Sequence, residues 1–170
     1  MSEANVSNLK FLKEYSGQTV EQLLSLEGEY RIDSLVGAFE EALYQKVARD
    51  GGQAVNAQER IVLAVEALER EVNNGGYRLF FENSTREFAP FIVQALVRIG
   101  CARTAEITQR AIDALQLPSL SVEAIDAAMA DGEESEEELN ECDNSYYKAG
   151  EDIAGQLFAF IKTNKDAIVL

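Results

Sequence analysis

The stretch EVNNGGYRLFFENSTREFAPFIVQALVRI, residues 71–99, holds the residues that decide the fold. Four of the eight phenylalanines of the chain lie in it, and Tyr77 comes just ahead of them. Aromatic side chains bury large areas, so this density is typical of the centre of a hydrophobic core. The stretch therefore predicts that the rest of the chain packs around it.

A glycine break divides this stretch into two helical parts. The run NNGG at residues 73–76 predicts a stop and a turn between helices. From Phe88 the apolar residues recur at 88, 91, 92, 95, 96 and 99, which is one face of a helix closed by Gly100. The two glycines lack the spacing and the preceding strand of a phosphate-binding loop. The break is therefore interpreted as structural.

The remainder of the chain shows only helical periods. Thr19 with Gln22, and Asn56 with Glu59, have the spacing of capping boxes and predict two helix starts. Ser121 is a further capping residue. A short first helix is predicted from the apolar residues Leu9, Phe11, Leu12 and Tyr15. Short joints and the lack of a long linker predict an all-α fold, a single compact multi-helix domain over residues 1–170.

Composition lowers the prior for an enzyme or a metal protein. The chain has no histidine, the commonest general base and metal ligand. Cys101 and Cys142 are too few for a disulfide framework or a zinc site and are expected to be free, buried thiols. No cofactor and no metal is expected. Four acids lie near one another on one predicted helix and are expected to form a solvent-exposed face instead of a functional cluster: Glu59, Glu66, Glu69 and Glu71.

The chain also carries no signal for a membrane or for export. No apolar run reaches the length of a membrane span, and residues 1–20 lack the basic start and apolar centre of a signal peptide. A cytoplasmic location is expected.

The acidic residues are concentrated in one segment. The formal net charge is −15, which argues against direct binding of nucleic acid or of an anionic membrane and favours a basic partner. Residues 111–147 contain no lysine or arginine and carry −11 of that charge, which leaves −4 for the rest. Adaptation to high salt would spread the acids over the whole surface. The candidate partner-binding residues are Asp113, Glu123, Asp126, Asp131, Glu133, Glu134, Glu137, Glu138, Glu141 and Asp143.

The densest part of this segment predicts a helix. Leu139, Cys142 and Tyr146 are spaced i, i+3, i+7 and form an apolar stripe that can dock on a core. A disordered acidic loop is the alternative. On a helix, carboxylates four residues apart are separated by about 6 Å along the axis. Six glutamates within residues 133–141 give about one charge per 2 Å of helix axis, which is close to the value for duplex DNA of about one charge per 1.7 Å. Tyr146 and Tyr147 are either core residues or aromatic anchors beside the acids.

The residues around the glycine break also carry a resemblance to a known family. Asn74, Gly75, Gly76 and Tyr77, followed by the pair Phe80-Phe81, resemble a helical bacterial domain long catalogued as of unknown function. The best understood members of that family are acidic DNA-mimic proteins. The resemblance is clearest over residues 66–111, and its motif residues are fold markers. It implies a helical fold, a possible homodimer, and a partner such as a helix-turn-helix repressor or a histone-like nucleoid protein.

Charge and resemblance together favour one function over two others. The leading hypothesis is a non-catalytic DNA mimic that binds the DNA-binding surface of a basic bacterial protein and blocks or modulates its binding to DNA. The first alternative is a helical protein-interaction adaptor whose acids serve solubility. The second is an enzyme that uses carboxylates.

Overall fold

The computed structural model describes residues 8–132 and 135–170, and these ranges are all-α, as predicted. Contacts between Cα atoms divide the chain into two compact units. The first comprises the described residues up to Leu63 together with Ile153–Leu170, and the second comprises Ala64–Asp152. The assignment of residues 1–170 to a single domain stays a prediction.

Eight α-helices and no β-strand occur in the described ranges. The helices are α1 (Val20–Ser25), α2 (Ile32–Asp50), α3 (Ala57–Glu82), α4 (Ala89–Ile99), α5 (Ala102–Ala114), α6 (Val122–Asp131), α7 (Glu136–Ala149) and α8 (Ile153–Thr163). Short 3-10 turns occur at Gly52–Ala54, Ser84–Phe88 and Lys165–Ala167.

The first unit is built on the packing of α2 against α8. Its core residues Leu35, Phe39 and Leu157 are fully buried. The capping box predicted at Thr19 starts α1, because its hydroxyl accepts a hydrogen bond from the backbone N–H of Gln22 and the Gln22 side chain accepts one in return. The helix start predicted at Asn56 is also confirmed, because α3 begins at Ala57 and the Asn56 side chain accepts a hydrogen bond from the N–H of Glu59.

The predicted helix around residues 9–15 is wrong. In place of a helical turn, Lys10 exchanges two backbone hydrogen bonds with the segment before α2, from its N–H to the carbonyl of Glu29 and from the N–H of Arg31 to its own carbonyl. The N–H of Leu12 donates to the Ser34 hydroxyl. Phe11, expected to pack inward, is 56% exposed. The long-range hydrogen bonds outweigh the weak local helical period.

A buried ion pair ties the chain end to the first unit. The Lys46 Nζ lies 2.9 Å from both carboxylate oxygens of Glu59, which is fully buried, and donates to the carbonyl of Val169. Glu59 also accepts hydrogen bonds from the N–H groups of Asn56 and Val169. The expected solvated face is therefore wrong for Glu59 and also for Glu71, which is buried and accepts from the Asn83 amide.

In the second unit, α3 is broken at the glycines that the sequence indicated. Gly75 and Gly76 have non-helical dihedral angles, and the φ of Gly76 is +77°. A left-handed backbone of this kind favours glycine. After the break, Tyr77, Phe80 and Phe81 are fully buried, so the prediction of an aromatic core is confirmed.

Helix α4 ends at a left-handed Gly100, as predicted. Its buried face is Ala89, Ile92, Ala95, Leu96 and Ile99. Phe91, which the apolar pattern placed on that face, is only half-buried and packs edge-to-face on Phe88 with ring centroids 5.7 Å apart. It lies at the margin of the buried face, where its ring covers a neighbouring side chain.

Candidate functional site

Helix α7 carries the densest part of the acidic segment on one face, and it packs against its neighbours with the other face. The predicted stripe is confirmed, because Leu139, Cys142 and Tyr146 are buried. Three glutamates occupy the first turn, where they interact favourably with the helix dipole, and Lys148 occupies the last turn. A left-handed Gly150 ends the helix. The acidic segment is therefore a helix from Glu136 onward.

The carboxylates of α7 face solvent without cationic partners. Glu136, Glu137, Glu138 and Glu141 are exposed. Within the described part of the chain, no lysine or arginine lies within ion-pair distance of any of them. Elsewhere many exposed acids are paired. The pairs are Glu29 with Lys10, Asp33 with Arg31, Asp50 with Arg49, Glu82 with Arg78, and Glu27 with Lys162.

The packing of α5 against α7 adds a further carboxylate to this surface. An open groove of about 510 Å³ lies between the two helices, and its lining includes Asp113, Glu138 and Glu141. We call it the acidic groove. No three acidic or cysteine side chains in the described ranges lie close enough together to hold a metal ion. The carboxylates are thus spread out, which suits contact with several separate cationic groups.

One cation and one thiol also line the acidic groove. Arg110, which marks the start of the cation-free segment in the sequence, lies in it beside the three acids. Burial raises the pKa of the Cys142 thiol, the neighbouring acids raise it further, and Arg110 opposes them. The thiol is therefore protonated at neutral pH and is a poor nucleophile.

Three side chains of α7 anchor it to the broken helix α3. The Asp143 carboxylate accepts a hydrogen bond of 2.7 Å from the N–H of Tyr77, the first residue after the glycine break. The Tyr147 hydroxyl donates to the carbonyl of Val72, 2.6 Å away, just before the break. The Tyr146 hydroxyl donates to Glu69. The acidic face of α7 is therefore held in a fixed orientation within the second unit.

The place of Asp143 explains the second glycine of the break. A Cβ at Gly76 would lie 2.1 Å from the nearer Asp143 oxygen, so a side chain there would displace the carboxylate. Asp143 is half-buried, and burial raises its pKa while the hydrogen bond from Tyr77 lowers it. The carboxylate of Asp143, one of the predicted partner-binding acids, serves as a helix cap in this unit, and its contact with a partner stays a prediction.

The other predicted site acids are distributed over α6 and its ends. Glu123, Asp126 and Asp131 are all exposed. The carboxylate of Asp126 is paired with Arg86, with 2.6 Å between Oδ1 and Nε, so its charge is partly neutralised. Glu133 and Glu134 lie outside the described residues. The structure thus brings Asp113, Glu138 and Glu141 together in one groove and leaves the α6 acids outside that groove.

Two acids were missed by sequence analysis. Glu136 is exposed in the first turn of α7 and belongs with its neighbours. Glu106 is exposed on α5, seven residues before Asp113, so the two share a face of that helix. The seven-residue spacing was the available signal. Tyr146 is a core residue, whereas Tyr147 is 55% exposed and its role as an aromatic anchor for a partner stays a prediction.

Glu69 of α3, which contacts α7, has a mostly buried carboxylate. Burial raises its pKa from 4.5 to about 7, and nearby Asp152 adds to the rise. Its side chain accepts from Tyr146. The expected solvated face is therefore wrong here too, and α7 packs on a carboxyl group whose pKa is raised by burial.

We expect Glu69→Gln to stabilise the protein above pH 7. Because the folded-state pKa exceeds the unfolded value, the folded chain binds more protons between pH 4.5 and about 7, and stability contributed by Glu69 falls as pH rises through that window. The variant should gain about 3 kcal/mol over wild type at pH 8 and nothing at pH 4, because each unit of pKa corresponds to about 1.4 kcal/mol. Urea unfolding at both pH values measures this difference. Glu106→Gln is the control, and equal gains in both variants would contradict the assignment.

Comparison with known proteins identifies one related family. A family model described as DMP19-like protein matches residues 53–164. No curated protein and no solved structure matches the chain. The matched range contains the glycine break, the aromatic core and the whole of α4 to α8. No helix in the described ranges is long and apolar enough to cross a membrane.

Proposed function

Because this chain belongs to the DMP19-like protein family, we propose that it is a DNA mimic. It binds the DNA-binding surface of a basic bacterial protein and blocks or modulates the binding of that protein to DNA. The partner is a helix-turn-helix repressor or a histone-like nucleoid protein. The proposal includes a cytoplasmic location, assigns no catalysis, and allows a homodimer.

The observation that carries the proposal is the row of unpaired carboxylates on α7. Glu137 and Glu141 are one helical turn apart, or about 6 Å along the axis. This separation is comparable with that of neighbouring phosphates on a DNA strand. Glu138 shares the acidic groove with Asp113, so a second row of negative charge lies alongside the first. A protein whose lysines and arginines bind phosphates finds a similar arrangement here.

The anchoring of α7 supports mimicry over a purely solubilising charge. A flexible acidic loop would offer charge without defined spacing. Here the contacts of Asp143 and Tyr147 with the two sides of the glycine break fix the helix. Ordering the charges before binding lowers the entropic cost of association.

The lack of ion pairs between the α7 glutamates and the other residues that the structure describes supports the same conclusion. Acids that serve only solubility gain from pairing with nearby cations, as Glu27 does with Lys162. The α7 acids repel one another at i, i+4 spacing, at a cost of a few tenths of a kcal/mol per pair. Contact with a cationic partner relieves that repulsion and adds attraction. A helical adaptor that binds its partner through an apolar surface gains nothing from acids that repel one another in this arrangement.

A competition experiment tests the proposal. Proteins captured from a bacterial lysate on the immobilised chain are purified, and each is bound to fluorescent duplex DNA. We expect the chain to displace the duplex, and its affinity for the partner to fall at least about tenfold between roughly 50 and 200 mM salt. A ternary complex in which DNA is retained at full affinity would end the mimic hypothesis. Salt-tolerant binding without competition would instead support the adaptor alternative.

A further inference from the structure

An apolar groove lies beside the acidic groove at the C-terminal end of α5. Its volume is about 360 Å³, within the range of about 300–1,000 Å³ typical of pockets that bind small molecules or side chains. The apolar lining comes from Leu117 and Pro118 after α5 and from Ala124, Ala127 and Ala128 on α6. The small alanine side chains leave the space open.

The two grooves adjoin each other, because Ala114 and Gln116 line both of them. Asp131 also lines the apolar groove and adds another exposed carboxylate. The apolar surface thus lies next to negative charge.

The residue at the junction has an unusual backbone. Gln116 has a φ of +50°, and it is the one residue other than glycine with a positive φ in the described ranges. It follows the end of α5, where its N–H donates to the carbonyl of Asp113, in a position that favours glycine. Residues with a disfavoured backbone conformation cluster at binding and active sites.

We propose that the apolar groove holds an apolar side chain from the same basic partner whose lysines and arginines bind the acidic groove. The occupant is a helix that presents an aliphatic or aromatic residue beside cationic ones. This inference rests on the proposed function and adds a specificity determinant to it. The charge of the adjoining groove supports this occupant, because Asp113, Glu138 and Glu141 outnumber Arg110 there.

An apolar contact can give a selectivity among basic partners that negative charge alone does not provide. Negative charge attracts every DNA-binding protein, because electrostatic attraction is long-ranged and tolerates different geometries. Burial of an apolar side chain needs close contact, so it separates partners by shape. The paired grooves would therefore select a subset of basic proteins.

Synthetic peptides test this inference without prior identification of the partner. The parent probe is a peptide of about 18 alanines and lysines, long enough to form a helix in water. In the test probes, a single leucine replaces alanine at successive positions through one helical turn. We expect the peptide with the best-placed leucine to bind the full chain about tenfold more tightly than the parent. Binding of both should weaken with salt.

Two matched variants on α6 show whether the leucine of the peptide binds in the apolar groove. Ala127→Leu fills the groove from an exposed position, whereas Ala130→Leu makes the same change at an exposed position outside the groove. We expect the tenfold advantage of the leucine peptide to disappear in Ala127→Leu and to persist in Ala130→Leu. Circular dichroism spectra of the two variants should match that of wild type.

Each contrary result has a separate meaning. Equal binding of all peptides with strong salt dependence would overturn the apolar contact and leave the proposed function standing. No binding of any peptide would count against both. If the wild-type chain self-associates and Ala127→Leu abolishes that association, a second copy covers the groove and the inference is wrong.

Discussion

Replacing four acids of the acidic groove and α7 with their amides should lower affinity for the DNA-binding partner about 100-fold. The variant combines Asp113→Asn with Glu137→Gln, Glu138→Gln and Glu141→Gln. Each exposed charge pair contributes about 0.7 kcal/mol, so four give about 3 kcal/mol, and every 1.4 kcal/mol is tenfold. The loss should be larger at low salt, because exposed charges are screened as ionic strength rises.

The fold should survive these substitutions. All four side chains are exposed, and Glu137 and Glu141 repel each other across one helical turn. We expect the melting temperature to stay the same or to rise slightly. A variant that loses both stability and binding would show that the acids support the structure.

A matched control separates local arrangement from net charge. The control variant also removes four negative charges, all from exposed acids for which no ion pair is found. Its substitutions are Glu14→Gln, Glu21→Gln, Glu87→Gln and Asp166→Asn. Partner affinity measured by fluorescence anisotropy should change no more than about threefold in the control. Equal losses in both variants would contradict recognition by the α7 surface.

Local sequence signals predicted the helices wherever capping residues and apolar stripes agreed. The box of Thr19 and Gln22, the left-handed Gly100 and the stripe on α7 are all properties of a few neighbouring residues. Residues 9–15 show the limit of such signals. Their apolar spacing fits a helix, yet hydrogen bonds to a segment about 20 residues later determine the backbone.

The arrangement of the site needed tertiary structure. Nothing in the sequence places Asp113 opposite Glu138, because their proximity arises from the packing of α5 on α7. For the same reason, the sequence shows Arg110 only as the residue before the acidic segment, although Arg110 lies within the acidic groove. The family match shows that the chain belongs to the DMP19-like proteins, and the groove shows which acids lie together.

Asp143 shows how a structural acid can resemble a functional one. In the sequence it is one of eleven acids in a single segment, and only its partner distinguishes it. That partner is the N–H of Tyr77, 66 residues away. Gly76 is the second signal, since a glycine next to a buried aromatic residue often marks a position where another group lies close to the backbone. Only the structure shows that Gly76 and Asp143 belong together.

Glu59→Ala should destabilise the protein by about 3–5 kcal/mol, the usual cost of removing one partner from a buried ion pair. The carboxylate is fully buried and contacts Lys46 through both oxygens, at 2.9 Å each. Without it, the Lys46 ammonium keeps only the carbonyl of Val169 as a hydrogen-bond partner among the contacts seen here. The N–H groups of Asn56 and Val169 also lose their acceptor. An uncompensated buried charge and two unsatisfied donors account for the large effect.

Two further variants show whether the charge or the hydrogen bonds dominate this loss. Glu59→Gln keeps an acceptor for the N–H of Asn56 but removes the negative charge, so it should lose almost as much as Glu59→Ala if the unpaired ammonium dominates. The double variant Lys46→Met with Glu59→Gln removes both charges and should recover more than half of the loss, because apolar replacements of buried ion pairs are often tolerated. Urea unfolding measures all three. A loss below about 1 kcal/mol in Glu59→Ala would show that this pair does not hold the chain end to its unit. No recovery in the double variant would show that the hydrogen bonds, and not the unpaired charge, account for the loss.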